Sequence, residues 1–549
     1  MAVSLATAFL RSHGSPISTR VFAKQSNVLF HAIWTLGIRR FRGLGTSPVR
    51  GDQRLDWKET LMGVNDTNKA QETGGSSLKF GTSGLRGLAV ELAGLPAYAY
   101  ARAFAEVLRE DGAVAGSHIL IGQDLRDSSP AIARLCCAGL QDAGLVPVSC
   151  GPLPTPALAL HGMRLGVPAI MVTGSHIPED RNGLKFYRAH GEIDKHDEGR
   201  ILASHARLNI RTLPDSARTS SLAAVDEGAL AAYKVRYRDF FGPQALSGLT
   251  VGVYQHSSVG RDVIVEILAS LGARAVPLGR ATSFVPVDTE ALRPEDVTLA
   301  RQWAGEQAVD AIVSTDGDAD RPLVADGTGV FLRGDLLAAI TARYLEADTI
   351  VTPVTSNSAL EASGAFERVI RTKVGSPYVI EGMAEAVRSG GRVVIGFEAN
   401  GGVLLGSKVR RGDRELEALP TRDAMLPILC ALAEIQVAGR PLAGVASGFA
   451  FQAGASNRLQ NVDTAKSRAF LSRLQGDRPF LEALLAPIAG IVGVDDRDGL
   501  RITLNNGDVI HFRASGNAPE LRVYVEAATQ ERANDVLEWG LGAAERQVR

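Results

Sequence analysis

Residues 118–143 read HILIGQDLRDSSPAIARLCCAGLQDA, and this stretch defines the structural class of the protein. Residues 118–122 are a short apolar run, the next eight residues are mostly polar, and residues 131–143 have an apolar helical pattern. A buried strand that leads through a polar turn into a helix is the first half of a βαβ unit. The stretch therefore predicts an α/β protein with parallel strands.

The same alternation recurs further along the chain. Short β-branched runs are followed by polar loops at residues 249–254, 311–315, 349–354 and 392–397, and helical patterns occupy residues 262–271 and begin at Ala359. Residues 500–504, 509–512 and 521–526 instead alternate like antiparallel strands, with an Asn-Asn-Gly-Asp hairpin turn at 505–508 and a helix at 530–547. The chain is therefore predicted to contain three similar α/β domains with mixed or parallel sheets, followed by a C-terminal α+β domain.

We place the domain boundaries at residues 76–245, 246–345, 346–446 and 447–549, after an N-terminal extension of residues 1–75 that we expect to be disordered. Residues 1–51 carry seven Arg or Lys and no acidic residue. An organellar transit peptide, a disordered tail and an upstream start that adds no functional protein all fit this composition. The sequence leaves these three readings open.

The overall composition limits the class of partner. Among 549 residues, 59 Lys and Arg balance 60 Asp and Glu, so the net charge is −1. This balance argues against a nucleic-acid or polybasic membrane-binding protein, although a small anionic ligand needs only a few cations. No apolar run is long enough to span a membrane. The four cysteines lack metal-binding spacing and are predicted to be buried free thiols in a reducing compartment.

Two loops contain residues suited to a nucleophile and to a metal ion. Thr173-Gly174-Ser175-His176-Ile177-Pro178 follows an apolar run and places a serine beside a histidine on a turn that Gly174 is expected to make flexible, although such a pair alone is also typical of a turn or helix cap. Asp316-Gly317-Asp318-Ala319-Asp320-Arg321 follows a buried strand and offers three carboxylates to Mg²⁺. A calcium EF-hand is excluded because Arg321 and Gly327 stand where that motif needs Gly and Glu; a solvated acidic turn remains the alternative.

Two further loops contain residues suited to a sugar phosphate. Gly396-Phe397-Glu398-Ala399-Asn400-Gly401-Gly402 offers a carboxylate and a carboxamide to vicinal hydroxyls. Arg513-Ala514-Ser515-Gly516-Asn517-Ala518-Pro519 has the side chains and the backbone N–H of a phosphate cradle. Each of these loops, considered alone, is equally compatible with an ordinary turn.

The four loops in this order resemble those of the α-D-phosphohexomutase superfamily, which contains phosphoglucomutases and phosphomannomutases. Residues 79–87, KFGTSGLRG, are similar to another active-site loop of that family. The resemblance runs from about Lys79 to the C-terminus. It implies four domains around a central active-site cleft, with one loop contributed by each.

The resemblance also implies roles for individual residues. Ser175 would carry a phosphoryl group and would bind Mg²⁺ together with Asp316, Asp318 and Asp320. Arg86 and Arg321 would line the reacting phosphate, and Lys185 and His176 are the candidates for moving the hydroxyl proton. The residues expected to bind the sugar and its second phosphate are Lys373, Glu398, Asn400, Arg513, Ser515, Gly516 and Asn517.

The implied activity is that of a cytoplasmic isomerase acting on a small hexose phosphate through a phosphoserine, with a hexose 1,6-bisphosphate as intermediate and activator. The variants TGSHIP, FEANGG and RASGNAPELR are most similar to bacterial phosphomannomutases, which favours mannose 6-phosphate and mannose 1-phosphate. Phosphoglucomutase and phosphoglucosamine mutase are alternatives with the same mechanism. A phosphatase and a catalytically silent sugar-phosphate-binding protein are the alternatives outside the mutases.

Three loops depart from the family pattern. Gly174 and Ile177 replace residues of the common T-A-S-H-N-P loop, and Asn517 stands where Thr is common. Several mannose- and glucosamine-type enzymes carry S-G-H where this chain has Asn400-Gly401-Gly402. A histidine acid is therefore absent from that loop, and we expect Lys185 or His176 to take over proton transfer.

Overall fold

The strand and helix predicted from residues 118–143 are both present in the computed structural model, which describes residues 76–81, 84–515 and 519–549. The strand spans His118–Gln123 and the helix Ser129–Asp142, with Pro130 in its first turn. Proline suits that position because the first N–H groups of a helix have no intrahelical acceptor. The predictions for residues 1–75 lie outside the described residues.

The first sheet has seven strands, in the order β1-β2-β6-β5-β3-β4, with β7 paired to β6. Strands β3, β4 and β5 are parallel to one another, whereas β1, β2 and β6 join by antiparallel pairing. The strands are β1 Lys79–Gly81, β2 Gly84–Leu88, β3 His118–Gln123, β4 Val146–Pro152, β5 Ala169–Val172, β6 Arg181–Arg188 and β7 Gly191–Glu192. The helices are Ala89–Leu92, Leu95–Glu110, Ser129–Asp142, Thr155–Leu165, Lys195–Leu208, Asp215–Thr219 and Gly228–Phe241.

The second and third sheets are also mixed. The second has the order β11-β10-β8-β9 and the third β13-β12-β14-β15-β18. Their strands are β8 Thr250–His256, β9 Arg274–Arg280, β10 Ala311–Thr315, β11 Pro322–Asp326, β12 Thr349–Pro353, β13 Arg368–Thr372, β14 Val394–Phe397, β15 Val403–Leu405 and β18 Leu419–Asp423, with a separate hairpin of β16 Val409–Arg411 and β17 Arg414–Leu416. The helices are Arg261–Ser270, Pro294–Glu306, Gly334–Tyr344, Ala359–Ala362, Ser376–Arg388, Met425–Ala438 and Leu442–Ser447.

The fourth sheet is antiparallel throughout, with the order β19-β23-β22-β21-β20. Its strands are β19 Ala453–Gln460, β20 Ile491–Asp495, β21 Leu500–Leu504, β22 Val509–Ala514 and β23 Glu520–Ala527, and its helices are Thr464–Gly476, Arg478–Leu485 and Gln530–Val548. The predicted class, three α/β units and a C-terminal α+β unit, is therefore confirmed. Each sheet lies inside one predicted domain range, but the exact boundaries remain predictions.

Apolar packing joins the first three sheets and leaves the fourth with its own core. One continuous cluster of buried side chains includes Leu120 of the first sheet, Val313 of the second and Ile350 of the third. A separate cluster beneath the fourth sheet includes Ile502 and Phe512. Because close-packed interiors deform little, the loops of the first three sheets have fixed relative positions.

Within the described part of the chain, no helix has the length and apolar character needed to cross a membrane. The four cysteines, Cys136, Cys137, Cys150 and Cys430, are free and buried, which confirms their predicted state. Burial raises the pKa values of Cys137 and Cys150 to about 12 each. These thiols therefore carry little thiolate at neutral pH.

We expect the native protein to be inert towards a thiol reagent. Because the thiolate is the reactive form and all four sulfurs are buried, reaction with Ellman's reagent at pH 8 should be at least about 100-fold slower than after denaturation. Denaturation should then release four reactive thiols per chain. Rapid modification of even one thiol in the native state would contradict this arrangement.

Candidate active site

Ser175 lies just beyond the end of the buried strand Ala169–Val172 and is itself buried. Its backbone has a φ of 57°, a left-handed conformation that is uncommon for a residue other than glycine. Its N–H donates to Thr173 Oγ1 (2.8 Å), and its hydroxyl donates to Asp316 Oδ2 (2.6 Å). The serine side chain is therefore held against the acidic loop of the second sheet.

The sequence suggested that Gly174 supplies the flexibility of this turn, but the structure gives it another role. The positive φ belongs to Ser175, whereas a Cβ on Gly174 would lie 2.7 Å from the Arg126 guanidinium. Arg126 is buried and donates to the carbonyls of Ser175 (3.0 Å) and Ile177 (2.6 Å). Gly174 is thus required so that Arg126 can pack beneath the loop and fix its backbone.

The acidic loop follows strand Ala311–Thr315 and places three buried carboxylates together. One ligand oxygen from each of Asp316, Asp318 and Asp320 lies within 4.8 Å of the others. Among the described residues, Asp318 Oδ1 and Asp320 Oδ1 are buried without a hydrogen-bond partner. Unpaired buried carboxylate oxygens are unfavourable unless a cation satisfies them, so these three residues fit a divalent metal ion.

Side chains of neighbouring elements donate hydrogen bonds to other carboxylate oxygens of the loop. Lys185 Nζ, on the strand Arg181–Arg188, donates to Asp318 Oδ2 (2.6 Å) and Asp320 Oδ2 (2.7 Å). Thr155 Oγ1 also donates to Asp318 Oδ2 (2.5 Å), at the start of the helix Thr155–Leu165. The structure therefore brings Lys185 to the acidic loop, which also accepts the hydrogen bond from Ser175.

These contacts affect the aspartates differently. Burial and the negative charges of Asp318 and Asp320 raise the pKa of Asp316 well above its usual value. Burial also opposes ionisation of Asp320, but the positive charges of Arg422, Lys185 and Arg321 outweigh it and lower the pKa of this carboxyl well below its usual value. The cations therefore hold Asp320 as a carboxylate inside the protein.

The remaining groups around Ser175 are cationic or neutral. Burial, followed by the charges of Arg321 and Arg86, lowers the pKa of His176 to about 2. Its Nδ1 lies 3.2 Å from Ser175 Oγ. Two arginines place positive charge next to the carboxylates: Arg86, on the strand Gly84–Leu88, and Arg321, beside Asp320.

The loop with Glu398 and Asn400 packs directly against the acidic loop. Thr289 Oγ1, in the second unit, donates to the Asn400 carbonyl (3.2 Å). Glu398 Oε2 accepts from Ser376 Oγ (3.1 Å) and from Arg422 Nη1 (3.3 Å), while Asn400 Oδ1 accepts from Gly402 N (3.0 Å). Both candidate sugar-binding side chains are thus buried; Glu398 is held by residues of other elements, whereas Asn400 is held by its own loop.

The fourth loop is linked to the third unit through Asp498. The Asp498 carboxylate accepts from Arg513 Nε (2.8 Å) and from Val374 N (2.9 Å), and Val374 follows the exposed Lys373. Ser515 donates its N–H to the Glu520 carbonyl (2.9 Å). The predicted Gly516 and Asn517 lie outside the described residues.

Several residues of the site had no role in the sequence analysis. They are Arg126, Thr155, Arg422 and Asp498. Only the position of Arg422 carries a signal, because Thr421-Arg422-Asp423 is a short polar stretch between the apolar residues 418–420 and 424–433. The others look like ordinary loop or helix-start residues, and their partners are far away in sequence.

Comparison with known families agrees with this arrangement. Four family models match in order: phosphoglucomutase/phosphomannomutase alpha/beta/alpha domain I at residues 77–209, domain II at 233–329, domain III at 333–450 and the C-terminal domain at 471–538. A phosphomannomutase of Sinorhizobium fredii is 49% identical, with 84% of this chain and 98% of the relative covered. A phosphomannomutase of Salmonella muenchen is 41% identical, with 84% and 95% covered.

A solved structure has the same fold. The phosphoglucomutase/phosphomannomutase family protein of Burkholderia thailandensis superposes with a TM-score of 0.66 at 20% identity, covering 85% of this chain and 98% of that one. The chain therefore belongs to the phosphoglucomutase/phosphomannomutase family. It is a hexose phosphate mutase, an isomerase, as the resemblance implied.

The buried His511 allows the packing of the fourth unit to be tested through the dependence of stability on pH. Its Nε2 lies 2.6 Å from the Asp498 carbonyl, and burial lowers its pKa to about 4. An unfolded histidine binds a proton below about pH 6.5, so His511 should make the folded state progressively less stable as the pH falls from about 6.5 to 4. The His511→Gln variant should show a shallower loss of stability between pH 6.5 and 5 in urea unfolding, followed by circular dichroism.

In the wild type, the His511 ring resonances should stay unchanged from pH 7.5 to 5.5 in NMR. A full titration near pH 6.5 would contradict the buried neutral state.

Proposed function

We propose that this protein interconverts mannose 6-phosphate and mannose 1-phosphate, with Ser175 as the residue that carries the phosphoryl group. The observation that supports this most directly is the hydrogen bond from Ser175 Oγ to Asp316, within a buried cluster of three aspartates. Phosphoryl transfer depends on the positioning of the reacting groups and on neutralising the negative charge that is spread over the phosphoryl oxygens, rather than on an activated nucleophile alone. The cluster and its surrounding cations supply both conditions.

Mg²⁺ is the proposed resident metal, held by Asp316, Asp318 and Asp320 together with an oxygen of Ser175 or its phosphate. The two unpartnered carboxylate oxygens, on Asp318 and Asp320, support this assignment because hard oxygen ligands suit Mg²⁺. When bound, the metal would supply Lewis-acid neutralisation of the phosphoryl oxygens. Lys185, already bonded to two of the aspartates, would hold them in place beside it.

Arg86 and Arg321 would bind the other oxygens of the reacting phosphate. Arg321 Nε is buried and, within the described chain, has no hydrogen-bond partner, so it can donate to an anion. Arg86 lies on the strand Gly84–Leu88, and the backbone N–H of Arg321 donates to Asp316 Oδ1 (3.1 Å), so the backbone of both residues is anchored and less reorganisation is needed in the transition state. Hydrogen-bond donors would thus already be in place for the negative charge that develops on the phosphoryl group.

In the proposed transfer, a free hydroxyl oxygen of the hexose monophosphate bonds to the phosphorus as the bond between phosphorus and Ser175 Oγ breaks. The hydroxyl proton would pass by way of His176 or Lys185 to the departing Ser175 Oγ, so Ser175 regains its hydroxyl group. The product is a hexose 1,6-bisphosphate. After the bisphosphate turns over, Ser175 Oγ bonds to the phosphorus at the other end as the bond between that phosphorus and the sugar oxygen breaks. The serine proton passes to the sugar oxygen, and the isomeric monophosphate is released.

The substrate's other phosphate would lie on the fourth loop, held by Arg513, Ser515, Gly516 and Asn517. Glu398 and Asn400, with Lys373 at the rim, would bind the sugar hydroxyls between the two phosphates. This cradle must accept either end of the sugar, since the bisphosphate reverses between the two transfers. The Asp498 bridge between Arg513 and the Lys373 loop supports a shared role for these two loops.

The choice of mannose rests on the relatives at 49% and 41% identity, both of which are named phosphomannomutases. Coupled assays with mannose 1-phosphate, glucose 1-phosphate and glucosamine 1-phosphate, each with a trace of the bisphosphate, test this choice. A larger kcat/KM for glucose or glucosamine would reassign the substrate. Release of free phosphate without isomer would identify a phosphatase instead.

We expect Ser175→Ala to reduce kcat by at least about 1,000-fold, because no other group would take up the phosphoryl transfer. Intact-mass analysis of the wild type should also show a phosphorylated fraction that disappears in this variant. The matched control is Ser216→Ala, since Ser216 is exposed and its hydroxyl donates to Asp142 in the same domain. Full activity in Ser175→Ala would disprove the phosphoserine route.

Metal binding can be measured without turnover. Loss of a group that merely orients a ligand weakens metal binding 10- to 100-fold, so Asp318→Asn should raise the Kd for Mg²⁺ by at least about 100-fold in calorimetry. Asp262→Asn removes a surface carboxylate of the same unit, paired with Arg280, and should leave this Kd unchanged. An Asp318→Asn protein that binds Mg²⁺ as tightly as the wild type would rule out the proposed site.

A further inference from the structure

Arg422 occupies the boundary between the acidic loop and the loop of Glu398. It lies on the strand Leu419–Asp423, at the edge of the third sheet, and only 3% of its side chain is exposed. Its Nε and Nη2 both donate to Asp320 Oδ2, at 3.2 and 2.8 Å. Its Nη1 donates to Ser376 Oγ and to Glu398 Oε2, the latter at 3.3 Å.

One guanidinium therefore spans two carboxylates that belong to different units of the fold. The planar guanidinium presents its N–H donors at fixed angles, so it also fixes the separation of the groups that it binds. A lysine ammonium has no such rigid fork and cannot maintain both contacts with the same geometry. The arrangement depends on arginine itself, not only on its positive charge.

The backbone on either side of Arg422 is anchored to the first unit. Thr421 Oγ1 donates to Glu192 Oε1 (2.6 Å). Asp423 accepts from the buried hydroxyls of Tyr233 (2.5 Å) and Tyr237, both on the helix Gly228–Phe241. Since successive side chains of a strand point to opposite faces, these anchors hold the strand from one side while Arg422 extends from the other.

Gly402 leaves the space that the Arg422 side chain needs. A Cβ at position 402 would lie 3.0 Å from Arg422 Cδ, 3.1 Å from Arg422 Cβ and 2.6 Å from the Asp320 carbonyl oxygen. Any larger residue would therefore push the arginine and the acidic loop apart. The glycine and the arginine form one packed unit between the two loops.

We propose that Arg422 is a positioning residue that sets the distance between the metal-binding carboxylate Asp320 and the sugar-binding carboxylate Glu398. The inference rests on the proposed function, because it gives these two carboxylates their roles. Arg422 would act through them and would not itself touch the reacting phosphate. Its removal should therefore weaken metal binding and sugar binding together.

The test compares Arg422→Met, Arg422→Lys and the wild type by Mg²⁺ calorimetry and by steady-state kinetics. Loss of a group that orients metal ligands predicts a Kd for Mg²⁺ about 10- to 100-fold higher in Arg422→Met, with a smaller increase in Arg422→Lys. The KM for the hexose phosphate should rise in the same order. In a Glu398→Gln background, Arg422→Met should add little further increase in KM, because the two residues share one interaction.

Arg343→Met is the matched control for the loss of a partly buried arginine. Arg343 lies on the helix Gly334–Tyr344, bonds Glu434 and stacks on Phe449, and touches neither loop of the site. The Arg343→Met substitution should lower the melting temperature while leaving the Kd for Mg²⁺ and the KM at wild-type values. If Arg422→Met does not fold, Arg422→Lys alone decides the question.

A wild-type Kd and KM in folded Arg422→Met, or in Arg422→Lys if Arg422→Met does not fold, would overturn the proposal and leave Arg422 a purely structural residue. If the wild type lacked mutase activity, the proposed function would fail, but calorimetry would still report whether Arg422 positions Asp320. The two failures are therefore distinguishable.

Discussion

Burying three carboxylates within 4.8 Å of one another is the constraint on which the site depends. Removing a single carboxylate from water costs several kcal/mol unless it is paired, and three neighbouring carboxylates also repel one another. The acidic loop of the second unit cannot solve this problem alone. Lys185 and Thr155 from the first unit and Arg422 from the third provide the hydrogen bonds and the positive charge that it needs.

This requirement links catalysis to the way the units pack. The first three sheets share a continuous apolar cluster, so the cations and the carboxylates meet in a fixed geometry. The fourth unit has its own core and joins the third through polar contacts, among them Asp498 with Val374 and Glu526 with Ser358. The proposed metal site lies within the rigid part, and the proposed phosphate cradle lies on the polar-linked part. This division suits the proposed reaction, in which one substrate is bound in two orientations.

The local sequence was sufficient to predict much of the fold. Apolar runs such as 311–315 and the polar loops that follow them were predicted within one or two residues, because strand burial and turn composition are local properties. The acidic loop was also recognisable, since three aspartates at alternate positions after a buried strand leave few structural roles. The reason for Gly174 was wrong, because the Arg126 guanidinium that fills the space beside it lies 48 residues upstream.

The sequence by itself determined the α/β class, the order of the loops and the identity of Ser175, Lys185 and the three aspartates as the candidate chemical groups. Only the tertiary structure decided which cation neutralises which carboxylate. Arg422 bonds Asp320 across about one hundred residues of sequence, and Asp498 joins Arg513 to Val374. Such pairings carry no periodic signal, because they arise only when separately folded units bury their charges against one another.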